Sequence, residues 1–281
     1  MDDVAAPPGE PGAYGVVVSG LPDAVPYMRP QPAGAPEVEV LVHSLSAETP
    51  RGRPAGWLTE DSARLFLAGG GRLEMARESN QFHYFFPDRP ADHDLLHPYF
   101  TAAAALFWQW RGSEALHAGA LATPAGAVLL LGDKGAGKST TLAWLALHAG
   151  VPVLSDDLAV LHGRTVVAGP ATVDLRPEAD SSDGQAVPVR NGERHRVTLG
   201  DAAAAPLAGI VVLEWAETVT LTEVPVAARL ETLCRHRAYT PLAPDPLGIL
   251  ELASTPMVRA GRPKDLSQLP SFAERCLARF S

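Results

Sequence analysis

The chain has 281 residues, 46% hydrophobic and 20% charged, with a formal net charge of −9 and an isoelectric point near 5.5. That length and composition support one large or two modest globular units with buried cores, and they argue against global disorder. The acidic balance, without any Lys/Arg-rich block, excludes a partner held through many phosphates such as duplex DNA, and no apolar run reaches bilayer length.

Residues 1–12 are rich in Pro, Gly and acid and are expected to form a disordered tail. Its first residues, Met1-Asp2-Asp3-Val4, lack the basic and apolar regions of a signal peptide, so a cytoplasmic location with no membrane partner is expected. Residues 13–93 carry short apolar or alternating stretches (15–18, 38–42, 63–68, 72–75, 81–86) punctuated by Gly and Pro, which predicts a β-rich N-terminal lobe. The aromatic run within 80–86 reads as a core strand, with a recognition surface as the alternative. A helix over 94–110, with Gly112 just past its end, then leads into a second unit spanning 94–281.

Leu116-His117-Ala118-Gly119-Ala120-Leu121 reads as a strand, turned at Pro124-Ala125-Gly126 into the apolar run Ala127-Val128-Leu129-Leu130-Leu131. Next comes Gly132-Asp133-Lys134-Gly135-Ala136-Gly137-Lys138-Ser139, which fits the pattern G-x-x-x-x-G-K-[ST] at every fixed position. A helix from Ser139 to His148, closed by Gly150, makes the context strand, loop, helix. Backbone N–H groups of such a loop and the positive end of the helix can surround a di- or triphosphate. Lys138 would reach the β- and γ-phosphates, and Ser139 would ligate Mg²⁺, with Thr140 completing the ATP-binding segment.

A second strand, Val151-Pro152-Val153-Leu154, ends at Ser155-Asp156-Asp157. Acids at a strand end after a phosphate loop commonly hold the bridging Mg²⁺, so the pair offers one metal ligand and one base. We expect Asp156 as base and Asp157 on the metal, with the two roles exchangeable; a solvated turn is the bland alternative. By its residue type alone, His117 is either structural or brought toward the nucleotide by the hairpin. Downstream, Arg190-Asn191-Gly192-Glu193-Arg194-His195-Arg196 is a basic, turn-containing stretch. Arg194 or Arg196 would contact phosphate or an acidic substrate, or else the stretch is a hairpin tip. A strand over 209–213 and helices over 226–239 and 266–280 complete the chain, and Cys234 and Cys276 read as isolated reduced thiols.

His117, the hairpin, Gly132–Ser139 and Ser155-Asp156-Asp157 follow one another in an order and spacing that resemble bacterial HPr kinase/phosphorylases, over about residues 112–180. The resemblance implies an α/β P-loop kinase core of HPr kinase type. In that family a His ahead of the loop and an Asp of the pair assist deprotonation of the substrate serine, roles that fall on His117 and Asp156. The loop hydroxyl and acidic groups bind Mg²⁺, which falls on Ser139 and Asp157. Asp174-Leu175-Arg176 is similar to that family's acid-aliphatic-Arg motif with Asp in place of Glu, which adds Asp174 as a metal ligand and Arg176 as a phosphate or substrate contact. Neither that family's N-terminal domain nor its glycine-rich phosphorolysis motif has a counterpart. Compact kinases with a different β-rich N-terminal region resemble enzymes associated with ribosomally made peptides such as lasso peptides.

The expected activity is Mg²⁺-dependent transfer of the γ-phosphoryl group of ATP to a Ser/Thr hydroxyl of a peptide or protein, such as a ribosomally made precursor peptide, without nucleic acid. A small-molecule hydroxyl kinase and a nucleotide-binding regulatory module without turnover are the alternatives. The hexamer of HPr kinases makes a homo-oligomer an expectation by analogy.

Overall fold

A computed structural model describes residues 9–45, 56–67, 70–180 and 182–280. The chain begins with eight strands, β1 (Pro11–Ala13), β2 (Val16–Ser19), β3 (Arg29–Pro30), β4 (Glu37–Ser44), β5 (Trp57–Leu58), β6 (Ser62–Phe66), β7 (Arg72–Ala76) and β8 (Gln81–Phe86). They form one sheet in the order β3-β1-β2-β4-β8-β7-β6-β5. Alternation decides its faces: Phe82, Tyr84 and Phe86 of β8 are buried, whereas His83 and Phe85 turn to the other side. Three of the aromatics in this run are therefore core.

Two departures from expectation fall in this lobe. Part of the expected tail is structured, because Pro11–Ala13 pair with both β2 and β3 and the Gln31 N–H donates to the Glu10 carbonyl at 2.9 Å. Gly12 is required there, since a Cβ would lie 1.9 Å from the Val16 carbonyl oxygen. Residues 1–8 and Ala68, the end of the expected 63–68 stretch, lie outside the described residues. The helix expected over 94–110 is interrupted near Pro98 into a single turn, α1 (Asp92–Asp94), an irregular turn over Leu95–Tyr99, and α2 (Phe100–Gln109). Gly112 sits beyond it at φ +81°.

The second unit runs through β9 (Glu114–Leu116), β10 (Gly119–Thr123), β11 (Gly126–Leu131), α3 (Lys138–Ala149), β12 (Val153–Ser155), β13 (Ala159–His162) and β14 (Thr165–Val167). A small sheet follows from β15 (Thr172–Leu175), β16 (Val187–Val189) and β17 (Arg194–Thr198), then β18 (Ala205–Trp215), β19 (Thr220–Glu223), α4 (Val226–Arg235), α5 (Pro246–Ala253), β20 (Met257–Arg262) and α6 (Leu269–Ala278). The strand expected over 116–121 is two strands: β9 pairs with β13, β10 pairs with β11 and β12, and the chain changes partner at His117-Ala118.

β10 is antiparallel to both β11 and β12, so β11 and β12 run in the same direction; β18 is parallel to β11, and β20 to β18. The C-terminal ends of β12, β11, β18 and β20 therefore meet at one edge, where open α/β sheets bind ligands. On one sheet face Val128, Leu130, Val211 and Leu213 pack with Leu142 of α3 and Phe272 of α6. On the other, Leu129, Leu131 and Ile210 pack with Leu233 of α4 and Leu252 of α5. A third cluster joins the first sheet and α2 to Leu158, Val160 and Val167, so packing is continuous across the boundary expected at residue 94.

Candidate functional site

The loop 132–139 connects β11 to α3. Gly132, Gly135 and Gly137 adopt φ of +147°, +87° and +87°, a conformation that L side chains rarely adopt and that turns the loop back over the helix N-terminus. The Lys138 ammonium folds onto the loop and donates to the Gly132 carbonyl at 2.6 Å. Burial lowers its pKa, against the opposing pull of Asp156, Asp157 and Asp133. A buried cation held only by loop carbonyls fits a site that receives a polyanion.

Ser155-Asp156-Asp157 reaches the same edge from the end of β12. The Ser139 hydroxyl donates to Asp156 Oδ1 at 3.0 Å. Asp156 is 4% exposed. Burial, and secondarily the charge of Asp157, push its acid up to about 7, although the Ser139 hydroxyl and the Asp157 N–H favour the carboxylate. A hydroxyl and a carboxylate in contact form a hard oxygen donor pair that fits Mg²⁺ bound together with phosphates. Among the described residues no cluster of three or more His, Cys, Asp or Glu could hold a metal on protein ligands alone.

Asp157 has φ +68° and is half-exposed at the cavity mouth, with Oδ1 3.4 Å from His117 Nδ1. His117 is fixed by the break between β9 and β10, where its N–H donates to the His236 carbonyl at 2.7 Å. Behind the acids, the buried Arg29 guanidinium reaches over from the N-terminal lobe. It donates to the carbonyls of Leu154 at 2.7 Å and Val153 at 2.8 Å, holding the strand that carries the pair.

A cavity of about 420 Å³ connects these groups. Of the expected site residues, Lys134 to Thr140, His117, Asp156, Asp157, Asp174, Arg176 and Arg194 line it, while Gly132, Asp133 and Arg196 do not. Two expectations change. Arg196 is 1% exposed and binds Asp174 through Nε at 2.7 Å and Nη2 at 2.8 Å, so it is not a free substrate contact. Asp174 also accepts from Arg190 at 2.6 Å, so both its oxygens are engaged by arginines and the metal role expected for it gives way to an ion-pair role. Burial alone would raise the Asp174 acid, but Arg196, with His97 and Arg190, holds it below the usual carboxylate range. Arg176 stands at the rim 3.8 Å from Glu178, and Arg194 donates to the Glu193 carbonyl at 3.1 Å.

Sequence reasoning passed over Arg29, Trp215 and Arg262, and it took in Arg190 only as part of the basic stretch. Trp215 and Arg262 also line the cavity, at the ends of β18 and β20, and belong to no motif. A larger cavity of about 650 Å³, lined by Glu60, Arg77, Trp110, Arg111 and Asp245 among others, shares no residue with the first and so contains neither the loop 132–139 nor the acid pair. Its size gives it no chemistry.

The chain matches no protein-family model, and no curated protein matches it. Among solved structures it is similar in part to the HPr(Ser) kinase/phosphatase from Coxiella burnetii, with 12% identity and a TM-score of 0.31, over 59% of this chain and 88% of that one. That is a weak and partial likeness between mixed α/β folds, and the site is read from its own geometry. Among the described residues no helix is long and apolar enough to cross a membrane.

Proposed function

We propose that the protein is a Mg²⁺- and ATP-dependent phosphotransferase that moves the γ-phosphoryl group to a Ser/Thr hydroxyl of a peptide or protein. One observation carries this reading: the two acids that follow β12 open onto a single cavity, Asp156 bonded to the Ser139 hydroxyl of the loop and Asp157 beside His117. A regulatory nucleotide site needs the loop and a metal ligand. It has no use for a second, half-exposed acid paired with an imidazole.

The loop N–H groups and Lys138, released from the Gly132 carbonyl, hold the phosphates. Ser139 and Asp156 would hold the metal, which would supply charge neutralisation to the phosphates. Asp157 takes the proton of the acceptor hydroxyl as the acceptor oxygen bonds to the γ-phosphorus and the bond from that phosphorus to the bridging oxygen breaks, leaving ADP, and His117 orients that carboxylate. This assignment exchanges the two acids relative to the sequence expectation, for a physical reason. Asp156 is buried against the loop hydroxyl, whereas Asp157 sits at the mouth, where an acceptor arrives. Arg176 and Arg194 on the rim suit a chain-like acceptor with acidic residues, and a ribosomally made precursor peptide is the first class to try.

The test is incubation with γ-labelled ATP and either Ser/Thr peptides or small hydroxyl metabolites, followed by product analysis. Labelled phosphopeptide is the expected product. A labelled metabolite would move the acceptor to the small-molecule class, and binding of ATP without transfer to any acceptor would reduce the protein to a nucleotide-dependent module.

A further inference from the structure

The same cavity has a wall that neither the phosphate nor the proton chemistry uses. Sheet order places β12, with its acid pair, on one side of β11 and places β18 and β20 on the other. A nucleotide with its terminal phosphate at the acids and its diphosphate in the loop would have β18 and β20 on the side away from the acids. Trp215 and Arg262 end those two strands.

The Trp215 side chain is built into the loop. Its Nε1–H donates to the Gly135 carbonyl at 3.1 Å, and a Cβ placed on Gly137 would come within 3.1 Å of the indole edge and 2.2 Å of Arg262 Nη2. Arg262 lies over one face of the indole with its guanidinium carbon 4.5 Å from the ring centroid, while the residue Trp215 remains 37% exposed. Arg262 itself is 2% exposed and has no carboxylate partner among the described residues. Its Nε–H has no acceptor, and its contacts to the Pro263 and Gly137 carbonyls are long, at 3.4 and 3.5 Å. The exposed Lys264 ammonium stands 5.4 Å from the same ring. A large aromatic surface ringed by uncompensated positive charge suits a planar group attached to a polyanion rather than an apolar partner.

We propose that Trp215 is the stacking platform for the nucleobase, held in position by Arg262 behind it and by its bond to Gly135. The inference rests on the phosphate-loop reading above, and its test separates the two. Calorimetry compares Mg·ATP with Mg·tripolyphosphate, which has the phosphates and no base, in the wild type, Trp215→Phe and Trp215→Leu. Both variants lose the bond to Gly135, and only Phe keeps an aromatic face. ATP is expected to bind about 10-fold tighter than tripolyphosphate in the wild type and in the Phe variant, an advantage that vanishes in the Leu variant while tripolyphosphate affinity holds. An ATP advantage that survives in Leu, or is lost equally in Phe, overturns the platform and leaves the phosphate site standing. A Leu variant that loses both ligands also overturns it, because Trp215 then serves the loop alone. Failure of the wild type to bind either ligand removes the phosphate reading and this inference with it.

Discussion

Asp156→Asn should make the ligand-free protein more stable as the pH rises, relative to the wild type. The acid lies in a buried site beside Asp157, and its pKa moves from 3.8 to about 7 on folding. A folded-state pKa raised above the unfolded value means that the folded chain binds the extra proton between those limits. The associated stability is complete below the unfolded value and is lost as the pH climbs through the folded one. The loss runs at about 1.4 kcal/mol per pH unit and totals on the order of 3 kcal/mol between pH 5 and pH 8. Asparagine keeps an acceptor for the Ser139 hydroxyl, and any cost of burying its amide does not vary with pH, so it cancels from the difference. Urea unfolding of both proteins at pH 5, 6, 7 and 8, without nucleotide or metal, reads that difference directly. Parallel stability curves would refute the reasoning, since they would mean that Asp156 titrates alike in both states and is not the desolvated acid of the site.

Lys138→Ala should weaken Mg·ATP binding by about 10- to 100-fold, the worth of a charged hydrogen bond, with no loss of melting temperature; calorimetry and a thermal melt check both parts. Asp157→Asn should slow transfer by about 10²- to 10⁴-fold at unchanged ATP affinity, and His117→Gln should slow it less, as seen in single-turnover rates at saturating ATP. Equal effects of Asp157→Asn on binding and rate would return that acid to the metal. Gly137→Ala forces a Cβ to 2.2 Å from Arg262 Nη2 at a φ of +87°, so stability should fall by roughly 1–3 kcal/mol and ATP affinity with it. Arg196→Met strips the buried Asp174 of its main partner and should cost about 3–5 kcal/mol in urea unfolding; a loss under about 1 kcal/mol would show that Arg190 alone suffices.

The loop 132–139 is legible in the chain because everything that shapes it is local: three glycines at turn positions, a lysine and a serine, an apolar strand before and a helix after. The acid pair is nearly as legible, since it follows the next strand and therefore reaches the same sheet edge. The Asn191-Gly192 turn signal offered a hairpin tip as one of two readings of the basic stretch, and Arg190–Gly192 is the turn between the paired strands β16 and β17. Tertiary structure alone decided which charges are free to act. Asp174 and Arg196 are directly opposed in the register of β15 and β17, so two residues that read separately as a metal ligand and a substrate contact neutralise each other in a buried ion pair. The same holds for which acid touches Ser139, for Arg29 holding a strand far along the chain, and for Trp215 and Arg262, which meet only because β18 and β20 are neighbours. Local sequence specifies backbone conformation and residue chemistry, whereas burial and pairing come from packing between distant segments, and these set whether a charge is spent within the fold or left for a ligand.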